Sequence, residues 1–346
     1  MKKFHVVSVC AGAALLLFLL WKIGIGQLWR EITALGWGLI PLILMEGIVD
    51  VLHAVAWRYC LSGSARSLPF TRVFRIRMAG FAINFLTPTA ALGGEVTKGA
   101  LLSQDHQGVD AVSGVLIGKL SFAAAQLLFV SCGALLVVSR IQLPRALWIA
   151  MVVSSGLLAL GLIGFYLVQK YGKLGSLVRW LVERNVGGKF LGRLEGEISG
   201  VDGALQTFYR QHPWSLLVSV FWHLAGFAVG ILQTWFFLHL LARDGSLPVA
   251  AAIWILGTWF DLLTFAMPSD IGVQEGTRVI AFKALGFDLI TGMTYGVVLR
   301  LQQIFWAVFG LLNYALLVAE GKPKRPLAAR GGDSALALLG YRRGRE

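Results

Sequence analysis

A chain of 346 residues with a mean hydropathy of +0.72, 57% hydrophobic and only 14% charged residues, falls outside the composition of ordinary soluble domains, which carry about 25% charged residues. Its net charge of +13 does not mark a nucleic-acid binder, because the basic residues collect at 58–77, 169–213 and after 320 instead of forming a basic soluble domain. Beside apolar segments, such clusters mark cytoplasmic loops in contact with anionic lipid headgroups. No cofactor or metal is expected: a P-loop signature and a G-x-S-x-G elbow are absent, no His/Glu/Cys spacing suits zinc, and Cys10, Cys60 and Cys132 read as small buried hydrophobes.

In chain order, apolar runs near 5–25, 38–57, 109–138, 147–168, 214–241, 247–267 and 288–318 approach the roughly 20 residues that cross a bilayer. The fold class is all-α, a polytopic integral membrane protein. The N-terminal run lacks an evident small-residue cleavage site, so 1–37 reads as a retained first membrane helix and an outer loop. With Lys2 and Lys3 cytoplasmic, helix 38–57 returns to the cytoplasm at Arg58, and Arg66, Arg72, Arg75 and Arg77 follow with no acid between them. Residues 139–213 hold a connecting membrane helix and cytoplasmic amphipathic helices. There Leu174, Leu177, Val178, Leu181 and Val182, then Phe190, Leu194, Ile198, Val201 and Leu205, recur at helical spacing. Gly187, Gly188 and Gly192 read as a linker between them, and 319–346 as a basic disordered tail.

A phrase occurs twice. FLTPTAALGGEVTKGALL at 85–102 returns as FAMPSDIGVQEGTRVIAF at 265–282, with Phe85, Pro88, Glu95 and Thr97 matched 180 residues later by Phe265, Pro268, Glu275 and Thr277. A Ser-Leu-Pro precedes each copy and an Asp-x-x-x-Gly follows it, at Asp110 and at Asp288. This order predicts an internal duplication, with repeat 1 at 38–138 and repeat 2 at 214–318. Helix 38–57 is expected to run inward and its counterpart 214–241 outward, so the repeats are inverted. The hairpins 67–102 and 246–282 then dip into the membrane from opposite sides, giving about six full crossings plus two re-entrant hairpins. All three basic clusters, and both termini, fall on the cytoplasmic side.

Pro88, Gly93 and Gly94 break the first hairpin, and Pro268, Gly272 and Gly276 the second. A break in hydrocarbon leaves backbone groups unpaired unless it lines a cavity or is buried in protein, so these segments are expected to wall a site. Glu95 with Lys98 and Glu275 with Arg278 are spaced to share a helix face. Two readings stay open, a self-neutralising pair or contact with an anionic ligand. Lys119 and Arg300 lie well inside flanking helices, where a charge costs at least about 2.5–3.5 kcal/mol, and their expected partners are Glu95 and Glu275. Glu46, Asp50 and His53 share one stripe of helix 38–57, a candidate proton-coupling path. His223 and Asp261 read as lone, hydrogen-bonded packing residues.

The pattern N-F-L-T-P-x(4)-G-G-E-V-x-K at Asn84 to Lys98, with P-x-x-x-G-V-x-E-G at 268–276, resembles the transmembrane region of lysylphosphatidylglycerol synthases. That region also occurs alone in flippase-like membrane proteins, some associated with hopanoid or glycolipid biosynthesis. The resemblance covers about 5–318 and implies a lipid-translocating module with a lipid cavity between two repeats. It carries Pro88, Gly93, Gly94, Glu95 and Lys98 as the first signature and Pro268, Gly272, Glu275 and Arg278 as the second. The synthases continue into a soluble aminoacyl-transferase domain, so this chain of 346 residues is not expected to make lysyl-lipid. Many members carry an acid–Arg pair where this sequence has Gly118–Lys119.

The expected function is translocation of a polar or anionic-headgroup lipid in a prokaryotic cytoplasmic membrane, without enzymatic chemistry. Glu95, Lys98, Lys119, Glu275, Arg278 and Arg300 are the candidate headgroup ligands. Two alternatives stand beside it. One is a membrane-embedded lipid-modifying enzyme with Glu95 or Glu275 as general base, and the other is a non-catalytic partner of lipid-biosynthesis enzymes.

Overall fold

The computed structural model describes residues 21, 25–87, 92–104, 108–138, 145–184, 198–241, 243, 245–264 and 272–320. The described chain is helical throughout and holds no strand. In order the helices are α1 (Ile25–Ala34), α2 (Leu39–Tyr59), α3 (Phe70–Leu86), α4 (Leu92–Ser103), α5 (Gly108–Val138), α6 (Arg145–Lys170), α7 (Leu174–Glu183), α8 (Ile198–Gln211), α9 (Ser215–Leu240), α10 (Leu247–Thr264), α11 (Val273–Ala284) and α12 (Leu289–Glu320). Among the described residues α5, α6, α9, α10, α12, and α2 with the turn before it, are six helices long and apolar enough to cross a membrane. The helix expected at 5–25 and the linker glycines 187, 188 and 192 lie outside the described residues.

Local signals set several helix starts. Pro69 holds an extended conformation ahead of α3, where its missing N–H costs nothing. The Asp288 carboxylate accepts the Thr291 N–H at 2.7 Å, capping α12. The start of α7 is capped from outside, since the Leu174 and Gly175 N–H groups both donate to Asp202 of α8 at 2.9 Å. On α8, Val201, Leu205 and Phe208 turn inward onto a core that includes Leu61, Ala65 and Ile117. The amphipathic face expected there thus serves the protein's own core. Residues 25–34, read as loop, form a helix whose Leu28 and Ile32 pack on Val279 and Met293.

The helix order α2–α3–α4–α5 recurs as α9–α10–α11–α12, with α4 and α11 of 12 residues each and α5 and α12 of 31 and 32. Contacts fix the directions. Gln233 donates to the Leu42 carbonyl at one end of the α2–α9 pair and His53 meets His223 at the other, so the two lead helices are antiparallel. Helix α3 is antiparallel to α12, with Phe85 near Arg300, the Met78 carbonyl against Gly310 and Arg72 on Glu320. Helix α5 is antiparallel to α10, with Gln126 bonded to the Thr258 carbonyl and Gly133 against Ile255.

Neither α3 nor α10 traverses the helix it lies against. Beyond Thr258 about 9 Å of α10 remains, while about 27 Å of α5 remains beyond Gln126 in that direction. Beyond Met78 about 12 Å of α3 remains, against about 32 Å of α12 past Gly310. Each then turns back, α4 along α3 and α11 along α10. The start of α3 sits beside the end of α12, where Arg72 and Arg75 both bind Glu320 at 2.9 and 2.7 Å. The end of α6 sits beside α8 through the Tyr209–Gln169 bond. The helix ends flanking the three basic stretches therefore gather at one end of the bundle.

Glycines set the closest approaches, as expected where hydrophobic contrast with lipid is absent and helices associate by close packing. A Cβ on Gly94 would run into the Gly80 carbonyl, and the Gly94 N–H donates to Asn84 at 2.6 Å, closing the α3–α4 hairpin. Gly94→Ala should destabilise the detergent-solubilised protein by about 1–3 kcal/mol through overpacking. Gly99→Ala, with nothing near its Cβ, should be neutral or stabilise by up to about 1 kcal/mol. Thermal unfolding of both variants checks the contrast, and equal midpoints would contradict it.

Candidate functional site

In the first half, Glu95 occupies the first turn of α4, where the partial positive charge of a helix start favours an acid. Lys98, one turn on, binds it at 2.5 Å, and Lys119 of α5 approaches its other oxygen at 3.7 Å. The Lys98 ammonium also stands 5.3 Å over the Trp57 ring of α2, and its stem lies against Gly80 of α3. The side chain of Lys119 is 47% exposed, whereas those of Glu95 and Lys98 are each 16% exposed. An exposed cation partway along an apolar helix is the feature of this cluster that faces outward.

Arg77 of α3 extends the cluster to α2 by binding Asp50 at 2.5 Å. Grouped by sequence with the solvated basic run after Arg58, Arg77 is only 17% exposed in its side chain. Its helical phase, two residues beyond the Glu320-bound Arg75, turns it inward. Asp50 and His53 are buried at 4% and 5% exposure, too deep to be solvated from the membrane surface beside Arg58. His53 pairs with His223 through their Nδ1 atoms at 2.7 Å, amid Phe122 and Phe227. Glu46 lies one turn before Asp50 on the same stripe.

In the second half, Gly272 takes φ +76, the left-handed region that glycine enters without penalty. Its N–H donates to Glu275 at 2.8 Å, and Arg300 of α12 donates to the same carboxylate at 2.9 Å. The Arg300 guanidinium lies 5.8 Å over Phe85 of α3, so the two repeated motifs meet there. The expected pairings of Lys119 with Glu95 and Arg300 with Glu275 are both present. The expected Glu275–Arg278 side-chain pair is not: Arg278, 1% exposed, binds Asp261 at 2.7 Å and the Gly257 carbonyl at 2.9 Å. Gly257 leaves the space that the guanidinium fills.

Three sequence readings are therefore corrected. Asp261 and His223 are hydrogen-bonded as expected but are not lone, because a hairpin and a helix crossing bring Arg278 and His53 to them. Arg278 turns to the neighbouring helix of its hairpin, where Asp261 and the Gly257 carbonyl accept its guanidinium, while Glu275 takes Arg300 and the Gly272 amide. Cys60 is buried, within 3.4 and 3.2 Å of the Ser121 and Ser219 hydroxyls, but Cys132 is exposed on α5. Of the break residues, Gly93 accepts the Thr97 hydroxyl at 2.8 Å and the Gly276 N–H bonds the Gly272 carbonyl at 2.9 Å. Pro88 and Pro268 lie outside the described residues. No group of three His, Cys, Asp or Glu residues able to hold a metal occurs among the described residues. A 560 Å³ surface pocket lined by Arg30, Glu31 and Arg243 involves none of these charges.

Charged residues at two folded-back hairpins inside an apolar bundle define a polytopic helical membrane protein with a polar interior. The chain matches the family described as the lysylphosphatidylglycerol synthase TM region over residues 5–311, and it belongs to that family. It is similar to a UPF0104 membrane protein, MJ1595, of Methanocaldococcus jannaschii, at 20% identity over 293 residues that span 80% of this chain and 83% of the relative. No solved structure matches it.

The contrast between the two basic residues at the hairpins is measurable. Arg278→Ala removes a buried guanidinium together with its bonds to Asp261 and the Gly257 carbonyl and should destabilise by about 1.5–3 kcal/mol, the range for hydrogen bonds to charged groups. Lys119→Ala removes a half-exposed charge and should change stability by no more than about 1 kcal/mol. Unfolding in detergent distinguishes them, and a large loss for Lys119→Ala would assign it a structural role.

Proposed function

We propose that the protein moves a lipid with an anionic headgroup between membrane leaflets, without covalent chemistry. In this reading the two halves are inverted repeats, and α3–α4 and α10–α11 are re-entrant hairpins entering a prokaryotic cytoplasmic membrane from opposite faces. The basic stretches and both termini lie in the cytoplasm. The antiparallel α2–α9 pair and the helices that stop short of their neighbours support this arrangement. One observation carries the functional reading: Lys119, bound to Glu95 at the start of a folded-back helix, still presents 47% of its side chain outward. A phosphate entering from the lipid side meets Lys119 first and Lys98 behind it. Both lysines are held by one carboxylate, so an anion can compete for either without stranding a lone buried base.

The repeat offers a matching exit. Arg300 is held by Glu275 in the same manner and lies over Phe85 of the first motif, so a headgroup released from Lys119 has a second cation across the contact between the halves. The partners are accordingly a membrane lipid and the anionic headgroups at the basic surface segments. Family resemblance adds lipid-biosynthesis enzymes as neighbours.

The test is reconstitution in liposomes carrying fluorescent phosphatidylglycerol or phosphatidylcholine, with external quencher reporting the protected leaflet. Wild-type protein should collapse the protected fraction of the anionic probe. Lys119→Ala and Glu95→Gln should each slow this by about ten- to a hundredfold, the worth of one charge-assisted contact. If every probe keeps its leaflet distribution, translocation is wrong; if the lipid is chemically altered in detergent, where no leaflets exist, the protein is an enzyme.

A further inference from the structure

Among the acids of α2 and α4, Glu46 has no Lys or Arg at salt-bridge distance among the described residues. Asp50 has Arg77 and Glu95 has two lysines. Each element around Glu46 supplies a different group. On its own helix Asp50 lies one turn away, while α3 contributes Arg77, whose guanidinium is already committed to Asp50. From α9 comes Gln233, within hydrogen-bonding reach. From α12 come Tyr295, whose hydroxyl is bonded to Thr234 at 2.7 Å, and Gln302. The His53–His223 pair lies two turns along α2.

The same region carries unmet acceptors. Gln233 and Gln302, 0% and 1% exposed, both spend their amide N–H on the Leu42 carbonyl, at 3.0 and 2.9 Å. Their Oε1 atoms, and Asp50 Oδ2, are buried with no donor. A lone ionised carboxylate facing another acid, beside acceptors lacking a donor, is costly twice over. One proton on Glu46 removes the uncompensated charge and brings one donor to a region whose buried acceptors lack one.

Charge counting joins this to the headgroup site. Glu46, Asp50 and Glu95 stand against Arg77, Lys98 and Lys119, so the cluster is neutral with Glu46 ionised and carries +1 with Glu46 protonated. We propose that Glu46 is the site of an exchangeable proton, and that its protonated form is the state in which the Glu95–Lys98–Lys119 cluster accepts an anionic headgroup. This rests on the anionic-lipid reading above. Proton and headgroup then bind together, and loss of the proton restores a neutral cluster that releases the anion.

The experiment uses the purified full chain in detergent and two readouts. Infrared spectroscopy at neutral pH should show a protonated-carboxyl stretch that vanishes in Glu46→Gln and persists in Glu95→Gln. Binding of phosphatidylglycerol, followed by native mass spectrometry, should weaken about tenfold from mildly acidic to alkaline pH, the effect of one unit charge at close range. Glu46→Gln, fixed in the neutral form, should bind tightly throughout, and Gln233→Leu should shift the carboxyl stretch by removing its acceptor. A wild-type affinity as flat with pH as that of Glu46→Gln, or one that follows sodium concentration instead, overturns the proposal. If phosphatidylglycerol does not bind at all, the anionic-lipid reading falls, and the infrared band alone decides whether Glu46 holds the proton.

Discussion

A carboxylate placed at a helix start inside an apolar bundle must find its cation within the protein, because neither water nor lipid supplies one. That demand organises this structure. Glu95 and Glu275 each open a short helix, and each takes a basic residue from the long helix that follows, Lys119 or Arg300. The ion pair links the returning arm of the hairpin to that helix. The acid at the start of each returning helix is thereby neutralised within the protein. The packing of α3 on α12 and of α10 on α5 follows, since each shortened helix shelters against the long helix of the other half.

The two halves meet the demand differently. In the second, Glu275 is bound by the Gly272 N–H and Arg300, and Arg278 is turned onto Asp261 and the Gly257 carbonyl. In the first, one carboxylate is shared by two lysines, and one of those lysines is half exposed. Lysine suits that arrangement, being a compact point charge on a flexible stem, whereas the planar fork of arginine suits the buried bidentate setting of Arg278. In the first half two cations share one carboxylate, and in the second Arg300 and Arg278 each bind a different one.

Close packing is what brings these charges within reach. Gly310 admits the Met78 carbonyl, Gly226 admits the His53 ring and Gly80 admits the Lys98 stem. The first two contacts join helices far apart in sequence, so no local pattern announces them. The interior that results is polar enough to include two buried glutamines and a histidine pair, yet it is assembled from helices that read as apolar end to end.

Much was legible in the chain itself. Apolar length required membrane-type helices, because a backbone in hydrocarbon must bond to itself. The repeated phrase, with its proline and glutamate at equal offsets, marked both hairpins, and the intramembrane bases named their own partners because a lone charge there is too costly to leave. Tertiary structure alone decided the rest. Which base takes which acid at a hairpin depends on the returning helix, so Arg278 left Glu275 for Asp261 once α10 lay beside it. Arg77 changed from one of a basic run to the partner of Asp50 because helical phase and the α2–α3 contact turn it inward. His223 found His53 only because two helices about 170 residues apart in sequence cross antiparallel. A sequence states which charges must be neutralised inside a membrane, and only the packing of distant helices chooses the neutralising group.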